Sequence, residues 1–262
     1  MKLKSLIVVL LCIVVCSSCE QPPIEAYAVL PQPQEINYVQ GFVKLKDKPM
    51  VVYSNELSNE ALLLASYLKN DFAVEVTLEE GKDKGDVILL LDSTVLPDKK
   101  GGYVLEAAGS RITIKASTPE GVFNGVQTLR QIIKEREGRL TVQKALVTDY
   151  PAFSWRAFML DEGRYFKGKE VVLNLLDRMA ELKMNVFHWH LTENQAWRLE
   201  SKIFPMLNDS CNMSRMPGKY YTIEDAKELV RFCKEHNVLL IPEIDMPGHS
   251  DAFIRAFRHD MQ

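Results

Sequence analysis

The segment at residues 185–198, NVFHWHLTENQAWR, places two histidines close to a carboxylate and an arginine. His188 and His190 are two positions apart on a predicted strand, so their side chains lie on the same side of it. A zinc ion needs three or four ligands, and His249 or Asp251 would have to supply the others. Because two histidines alone are a weak signal, the pattern favours packed, hydrogen-bonded imidazoles. A metal-dependent hydrolase is the alternative.

A second group of polar residues follows the apolar run at residues 238–244. The string PEIDMPGH carries Glu243 and Asp245 on one side of the predicted strand, and its Pro-Gly turn brings His249 back toward the strand end. Carboxylates beside a histidine can fix its tautomer and its charge, as acid–base chemistry requires. A capped turn with solvated charges is the alternative, but the position after a buried strand favours a site.

Two more candidates lie after other predicted strands. Asp161 and Arg164 belong to the string MLDEGRYF, and an arginine fork can hold vicinal hydroxyls or a carboxylate. A surface ion pair is an equally good interpretation of that pair. Glu193 follows the HWH strand, where it could face His249. Trp197 could stack on a sugar, although packing is the favoured interpretation.

These strings lie at the ends of repeating strand–helix units. Apolar segments at 157–160, 185–191 and 238–244 alternate with amphipathic helical segments at 169–183 and 223–236. Such alternation predicts a parallel sheet covered by helices. In a (β/α)8 barrel, the carboxyl ends of the strands hold the active site. The pattern therefore predicts the first three βα units of an incomplete (β/α)8 barrel over residues 150–262.

The first half of the chain has a different pattern. Two helical stripes, one over residues 55–70 and one running from 119 to Gly138, alternate with strands at 74–78 and 87–91 and a hairpin at 103–116. A proline-rich segment, QPPIEAYAVLPQPQEI, precedes them and predicts a tether. We expect an α+β domain over residues 20–149 that supports the second region, which makes the whole chain an α/β protein.

The N-terminus and the composition bear on location and partners. Residues 1–19, MKLKSLIVVLLCIVVCSSC, have the form of a secretory signal that ends in a lipobox-like SSC. We expect Cys19 to be lipidated, so that the protein is exported and held at the outer membrane, in the periplasm or on the cell surface, through its lipid alone. Plain secretion is the alternative. A net charge of −3 without a basic cluster argues against nucleic-acid binding. Cys211 and Cys233 do not make a disulfide framework.

Three strings taken together resemble motifs of the family 20 glycoside hydrolases, the β-N-acetylhexosaminidases. They are RAFMLDEGRYF, KMNVFHWHLTENQAWRLESK and YYTIEDAKELVRFCKEHNVLLIPEIDMPGHSDAF. The segment GGYVLEAAGSRITIKASTPEGVFNGVQTLRQII resembles the non-catalytic N-terminal domain of the same family. The resemblance covers roughly residues 28 to 262.

The resemblance implies a substrate-assisted, retaining hydrolysis of terminal N-acetylglucosamine or N-acetylgalactosamine from glycans, with no cofactor. This family departs from the usual scheme of two catalytic carboxylates. By motif, Arg164 matches the arginine that holds sugar hydroxyls. Glu193, Asp245 and His249 match supporting groups of the catalytic centre, and the last of these tunes the catalytic glutamate from behind.

The chain also departs from the family pattern. Glu193 and Asn194 stand where the family has two aspartates, and Ala196 replaces a glycine. The family's catalytic Asp-Glu pair lies in a His-x-Gly-Gly-Asp-Glu string, and the 262 residues contain no such string. We therefore expect a truncated, inactive N-terminal portion of the enzyme. A carbohydrate-binding or structural remnant is the first alternative, and a metal-dependent hydrolase that uses His188 and His190 is the second.

Overall fold

The computed structural model describes residues 23–81 and 83–258, and within them the chain forms two sheets with helices packed on them. The strands are β1 (Glu35–Lys44), β2 (Met50–Tyr53), β3 (Thr77–Glu80), β4 (Val87–Leu91), β5 (Tyr103–Ala108), β6 (Arg111–Ala116), β7 (Lys134–Arg136), β8 (Arg139–Asp149), β9 (Ala157–Asp161), β10 (Val186–His190) and β11 (Leu239–Glu243). The helices are α1 (Ser58–Phe72), α2 (Pro119–Ile132), α3 (Lys169–Glu181), α4 (Ile223–Glu235) and α5 (Asp251–Phe257). Three short 3₁₀ helices cover Asn55–Leu57, Pro205–Asn208 and Ser210–Asn212.

The first sheet is mixed and has the strand order β1-β8-β5-β6-β4-β2-β3, with β7 also paired to β8. Helices α1 and α2 pack on it because each buries an apolar stripe, and alternate residues of β5 and β6 are buried beneath them. Helix α2 lies very close to the sheet. A Cβ at Gly121 would lie 2.3 Å from the Gly102 carbonyl oxygen, so only glycine allows this approach.

The second sheet contains β9, β10 and β11, which are parallel and adjacent in the order β11-β10-β9. Helices α3 and α4 connect them, and their apolar stripes pack with Phe187 and Trp189 in one core. Helix α4 begins with a reciprocal capping box between Thr222 and Asp225, which satisfies free N–H groups of its first turn. An α+β N-terminal region followed by three βα units is therefore confirmed.

A buried polar cluster joins the two sheets. The Lys183 ammonium lies after α3, and it donates to Asp149 Oδ2 at 2.9 Å and to the Tyr103 hydroxyl at 3.0 Å. Lys183 is only 5% exposed. Arg130 on α2 makes a second link, since its guanidinium donates to Asp177 on α3 at 2.8 Å. These ion pairs fix the βα units against the first sheet.

The structure corrects three predictions about the first region. Helix α2 ends at Ile132, before Gly138, because the next residues form β7 and pair with β8 across a turn at Glu137 and Gly138 with positive φ angles. The strand predicted from residue 74 begins at Thr77. The predicted tether packs against the domain, since Val29 is 5% exposed in its core.

The expected signal segment and lipidated Cys19 lie outside the described residues. Within the described part of the chain, no helix combines the length and apolarity that crossing a membrane requires.

Candidate active site

The polar residues after the three parallel strands meet at one edge of the second sheet. In-register pairing places Asp161, His190 and Glu243 side by side at the ends of β9, β10 and β11. The loops that follow then bring Arg164, Glu193 and His249 together. The sequence predicted this edge because carboxyl ends of parallel strands lie side by side.

Glu193 is the centre of the site and is 2% exposed. Both of its carboxylate oxygens lie near His249 Nδ1, at 2.6 Å for Oε2 and 2.8 Å for Oε1. The two residues are 56 positions apart, and the cis Met246–Pro247 peptide precedes the turn that carries His249. The contact with Glu193, by hydrogen bond and by charge, raises the pKa of His249 above its ordinary value. The pair can therefore hold an imidazolium next to a carboxylate.

Arg164 approaches Glu193 from the loop after β9. Its Nη1 donates to Asp161 Oδ2 at 2.8 Å, and its Nη2 lies 3.4 Å from Glu193 Oε1. Its backbone N–H also donates to Asp161 Oδ1 at 2.8 Å. Half of the Arg164 side chain stays exposed, so its guanidinium is open to a ligand while two carboxylates hold it in place.

Asp245 does not hydrogen-bond to His249. Its backbone N–H donates to Thr192 Oγ1 at 3.0 Å, which links the loops after β10 and β11. A carboxylate oxygen of Asp245 lies within 4.8 Å of ligand atoms on His190 and Glu243. Asp245 therefore lies next to His190 and Glu243, beside the Glu193–His249 pair.

The two strand histidines contact the same carboxylate. His190 Nδ1 lies 2.8 Å from Glu243 Oε1, and His188 Nε2 is paired with Glu243 Oε2. His190 Nε2 points toward Glu193 Oε2, at 3.8 Å. Burial raises the pKa of Glu243, but the hydrogen bond from His190 and the charge interactions with His190 and His188 outweigh it and lower the pKa overall. One nitrogen of each ring is thus engaged with a carboxylate, as expected for packed imidazoles.

His190, Glu243 and Asp245 are also close enough to hold one metal ion. His188 is not in that group, and neither are His249 and Asp251, which the sequence offered as further ligands. A metal ion at this site would therefore have a different set of ligands from the predicted one, which was based on His188 and His190.

A pocket of about 310 Å³ opens beside Glu193 and His249. Its walls are mostly apolar and include Trp197, Met246 and Phe253. The Trp197 indole N–H donates to the Leu199 carbonyl at 2.7 Å, and the ring contacts Phe253 at a centroid distance of 6.2 Å. Trp197 therefore packs in the loop, as the sequence favoured, with part of its surface in the pocket wall.

Two residues of this region were missed from the sequence, Glu162 and Arg198. Both are fully buried, Glu162 in the loop that carries Arg164 and Arg198 against the backbone of that loop. Burial raises the pKa of Glu162 to about 7, although the hydrogen bond from the Lys167 N–H, the nearby Tyr221 hydroxyl and the charge of Arg198 act in the opposite direction. The only available signal was a charged residue in each of the strings DEGR and AWRLE, and that is too common to indicate burial.

A buried carboxylate, an imidazole and an arginine at the carboxyl ends of parallel strands define a polar ligand site of the kind found in α/β enzymes. Two family models match the chain: "Glycosyl hydrolase family 20, domain 2" over residues 26–150 and "Glycosyl hydrolase family 20, catalytic domain" over residues 153–261. The chain belongs to glycosyl hydrolase family 20.

The proteins to which the chain is similar are named as hexosaminidases or N-acetylglucosaminidases. The chain is 34% identical over 244 residues to the beta-hexosaminidase of Porphyromonas gingivalis, and this covers 87% of the chain and 31% of that protein. The structure of a beta-N-acetylhexosaminidase from Bacteroides fragilis matches with a TM-score of 0.78 and 29% identity over 88% of this chain and 47% of that one. A Vibrio harveyi exo beta-N-acetylglucosaminidase in complex with N-acetylglucosamine matches with a TM-score of 0.79, 26% identity and 92% and 40% coverage. The chain thus spans between 31% and 47% of the length of these relatives.

Proposed function

We propose that this chain is the N-terminal part of a β-N-acetylhexosaminidase, which removes terminal non-reducing N-acetylglucosamine or N-acetylgalactosamine from glycans by a substrate-assisted, retaining mechanism. The observation that carries this proposal is the contact of buried Glu193 with His249 and Arg164 at the ends of three parallel strands. The names of the relatives support the same activity.

Each site residue has a role in this proposal. Arg164 binds hydroxyls of the terminal sugar, because its half-exposed guanidinium is held by two carboxylates and offers free donors. Glu193 holds His249 in one orientation and stabilises its protonated form. Asp245 borders this pair and fixes the loop through Thr192. The negative charge of the group favours an oxocarbenium-like transition state on the sugar.

Hydrolysis also needs a general acid and a group that orients the acetamido oxygen, and in the family both come from the Asp-Glu pair. The 262 residues contain no His-x-Gly-Gly-Asp-Glu string. We propose that the pair is encoded beyond Gln262 and that further βα units complete a (β/α)8 barrel. Sequencing the gene past that codon tests this directly. A reading frame that continues without the pair would contradict the proposal.

The enzymatic test is hydrolysis of 4-nitrophenyl N-acetyl-β-D-glucosaminide and of its galactosamine analogue by the full-length protein. We expect release of nitrophenol, and a loss of activity in Glu193→Gln. A carbohydrate-binding or structural role instead predicts binding of N-acetylglucosamine in calorimetry, or no binding, without turnover. The third possibility, a metal-dependent hydrolase at His190, Glu243 and Asp245, predicts a bound ion in metal analysis and loss of activity after chelation.

We also propose that the protein is an exported lipoprotein, anchored at the outer membrane through Cys19. The support is the sequence of residues 1–19, with its lysines, apolar run and terminal SSC. Labelling cells with a radioactive fatty acid should mark the wild-type protein and leave Cys19→Ala unmarked. Label in both proteins would contradict lipidation at Cys19.

A further inference from the structure

Arg198 is a buried cation whose hydrogen bonds all go to uncharged groups, with the Glu162 carboxyl as a charged neighbour. Arg198 lies five residues after Glu193 in the sequence, and its side chain is fully buried. Among the described residues it has no ion pair with a carboxylate, and its guanidinium donates to backbone carbonyls. Burial lowers the pKa of Arg198 to about 10, so the guanidinium remains charged at neutral pH. A charge in this setting has to be compensated by hydrogen bonds.

The guanidinium donates to five backbone carbonyls that belong to two loops. On one side, Nε donates to the Glu162 carbonyl at 3.1 Å and Nη2 to the Gly163 carbonyl at 3.4 Å. On the other side lies the loop at residues 213–219, where the carbonyls of Arg215, Met216 and Lys219 accept at 2.9, 3.1 and 2.7 Å. The planar fork of an arginine suits this arrangement, since its donors point in fixed, diverging directions.

The first of these loops is the one that carries Arg164. The N–H groups of Glu162 and Gly163 donate to the His190 carbonyl, at 3.0 and 3.3 Å, while their carbonyls accept from Arg198. The loop is therefore held on both sides. The loop also packs tightly against Glu193, because a Cβ at Gly163 would lie 2.6 Å from Glu193 Cβ.

The second loop reaches Arg164 as well. Arg215 accepts from Arg198 through its carbonyl, and its own Nη1 donates to the Arg164 carbonyl at 3.4 Å. Arg164 thus lies in the first loop and contacts the second, and both loops bind the same buried cation. A shift of either loop would move its guanidinium away from Glu193.

We infer that Arg198 is a positioning residue: its buried guanidinium locks the Glu162–Gly163 backbone and the loop at residues 213–219 together so that Arg164 is held against Glu193 for sugar binding. The sugar-binding part of this inference rests on the proposed function. The locking of the loops does not.

Hydrogen–deuterium exchange of the full-length protein tests the lock without any substrate. Arg198→Lys keeps the charge, but its three donors sit on one nitrogen and do not reach both loops. We expect exchange at residues 162–167 and 213–219 to accelerate by about tenfold or more, with β10 and α4 unchanged. The matched control is Arg231→Lys, on the exposed face of α4, which should leave both loops unchanged.

Two results would overturn the lock: unchanged exchange in both loops, or a uniform acceleration across the second sheet, which would show a general loss of stability. If circular dichroism shows that Arg198→Lys does not fold, Arg198→Gln replaces it, since its shorter amide can donate to one loop but cannot bridge both. Faster exchange at residues 162–167 and 213–219 then supports the lock, and no change there contradicts it.

Kinetics test the sugar-binding part. With 4-nitrophenyl N-acetyl-β-D-glucosaminide, we expect Arg198→Lys to raise KM by about tenfold and to change kcat much less, as for the loss of one positioned hydrogen-bonding group. In an Arg164→Ala background the same substitution should change KM by less than about twofold. If the two effects multiply, Arg198 does not act through Arg164. A wild-type protein without hydrolysis would refute the proposed function alone, and the exchange result would still decide the lock.

Discussion

Replacing Glu162 by glutamine should make the stability of the protein less dependent on pH. Glu162 is fully buried, and burial raises the pKa of its carboxyl from 4.5 to about 7. Between these two values the folded protein binds more protons than the unfolded chain does. The stability that Glu162 contributes is therefore complete below about pH 4.5 and is lost as the pH rises through about 7.

The size of the effect follows from the shift. Each unit of pKa difference corresponds to about 1.4 kcal/mol, so the free energy of unfolding of the wild-type protein should fall by about 2 to 3 kcal/mol between pH 5 and pH 8 through this group. Glu162→Gln keeps an oxygen that can accept from the Lys167 N–H, as Glu162 Oε2 does at 2.6 Å, but it has no charge to bury. The stability of the variant relative to wild type should therefore rise by that amount over the same range.

Urea unfolding at several pH values measures this difference through tryptophan fluorescence. Trp189 is well placed to report it, because its ring lies 4.7 Å from that of Tyr221 in the same buried cluster. Glu235→Gln, at an exposed position on α4, is the matched control and should follow the wild-type curve. Parallel curves for wild type and Glu162→Gln between pH 5 and pH 8 would refute the reasoning, since they would mean that burial does not disfavour the charged carboxylate.

Three further predictions follow from other contacts. In Glu193→Gln the pKa of His249 should fall toward 6.5, because the carboxylate that raises it is gone; proton NMR titration measures this, and an unchanged value would show that Glu193 does not hold the imidazolium. Lys183→Met leaves Asp149 buried without its cation and should lower the free energy of unfolding by about 3 kcal/mol, whereas the exposed control Lys69→Met should change it by less than about 1 kcal/mol in the same urea titration. Thr222→Ala removes the capping box of α4 and should cost about 1 kcal/mol in thermal unfolding followed by circular dichroism, and no shift would mean that solvent replaces the cap.

Much of the second region was predictable from local patterns. The apolar runs that became β9, β10 and β11 and the stripes that became α3 and α4 are continuous in sequence, so neighbouring residues alone indicate them. The same apolar runs also predicted which polar residues lie at the strand ends. The first region was harder to predict, because β7 continues a pattern that suits a helix, and only its pairing with β8 makes it a strand.

In the candidate site as well, some features were predictable from the sequence and others were set only by the fold. Arg164, Glu193, Asp245 and His249 were named from their strings and from a resemblance to a known family. The contact of Glu193 with His249 was predicted from their positions after two strands, and the structure confirms it. The pairing of Glu243 with both strand histidines was not given by any local pattern. These pairings depend on the register of parallel strands and on the direction of each loop, which residues far apart in the chain set together.

By itself, the sequence determined the order of strands and helices in the second region, the edge of its sheet where polar groups collect, and the family to which the chain belongs. The tertiary structure alone decided that Val29 joins the core, that Lys183 and Asp149 form a buried pair, and that Arg198 lies beneath the site rather than at the surface. The physical reason is that secondary structure reflects the periodicity of nearby side chains, whereas burying a charge is stable only where distant backbone and carboxylate groups converge to meet it.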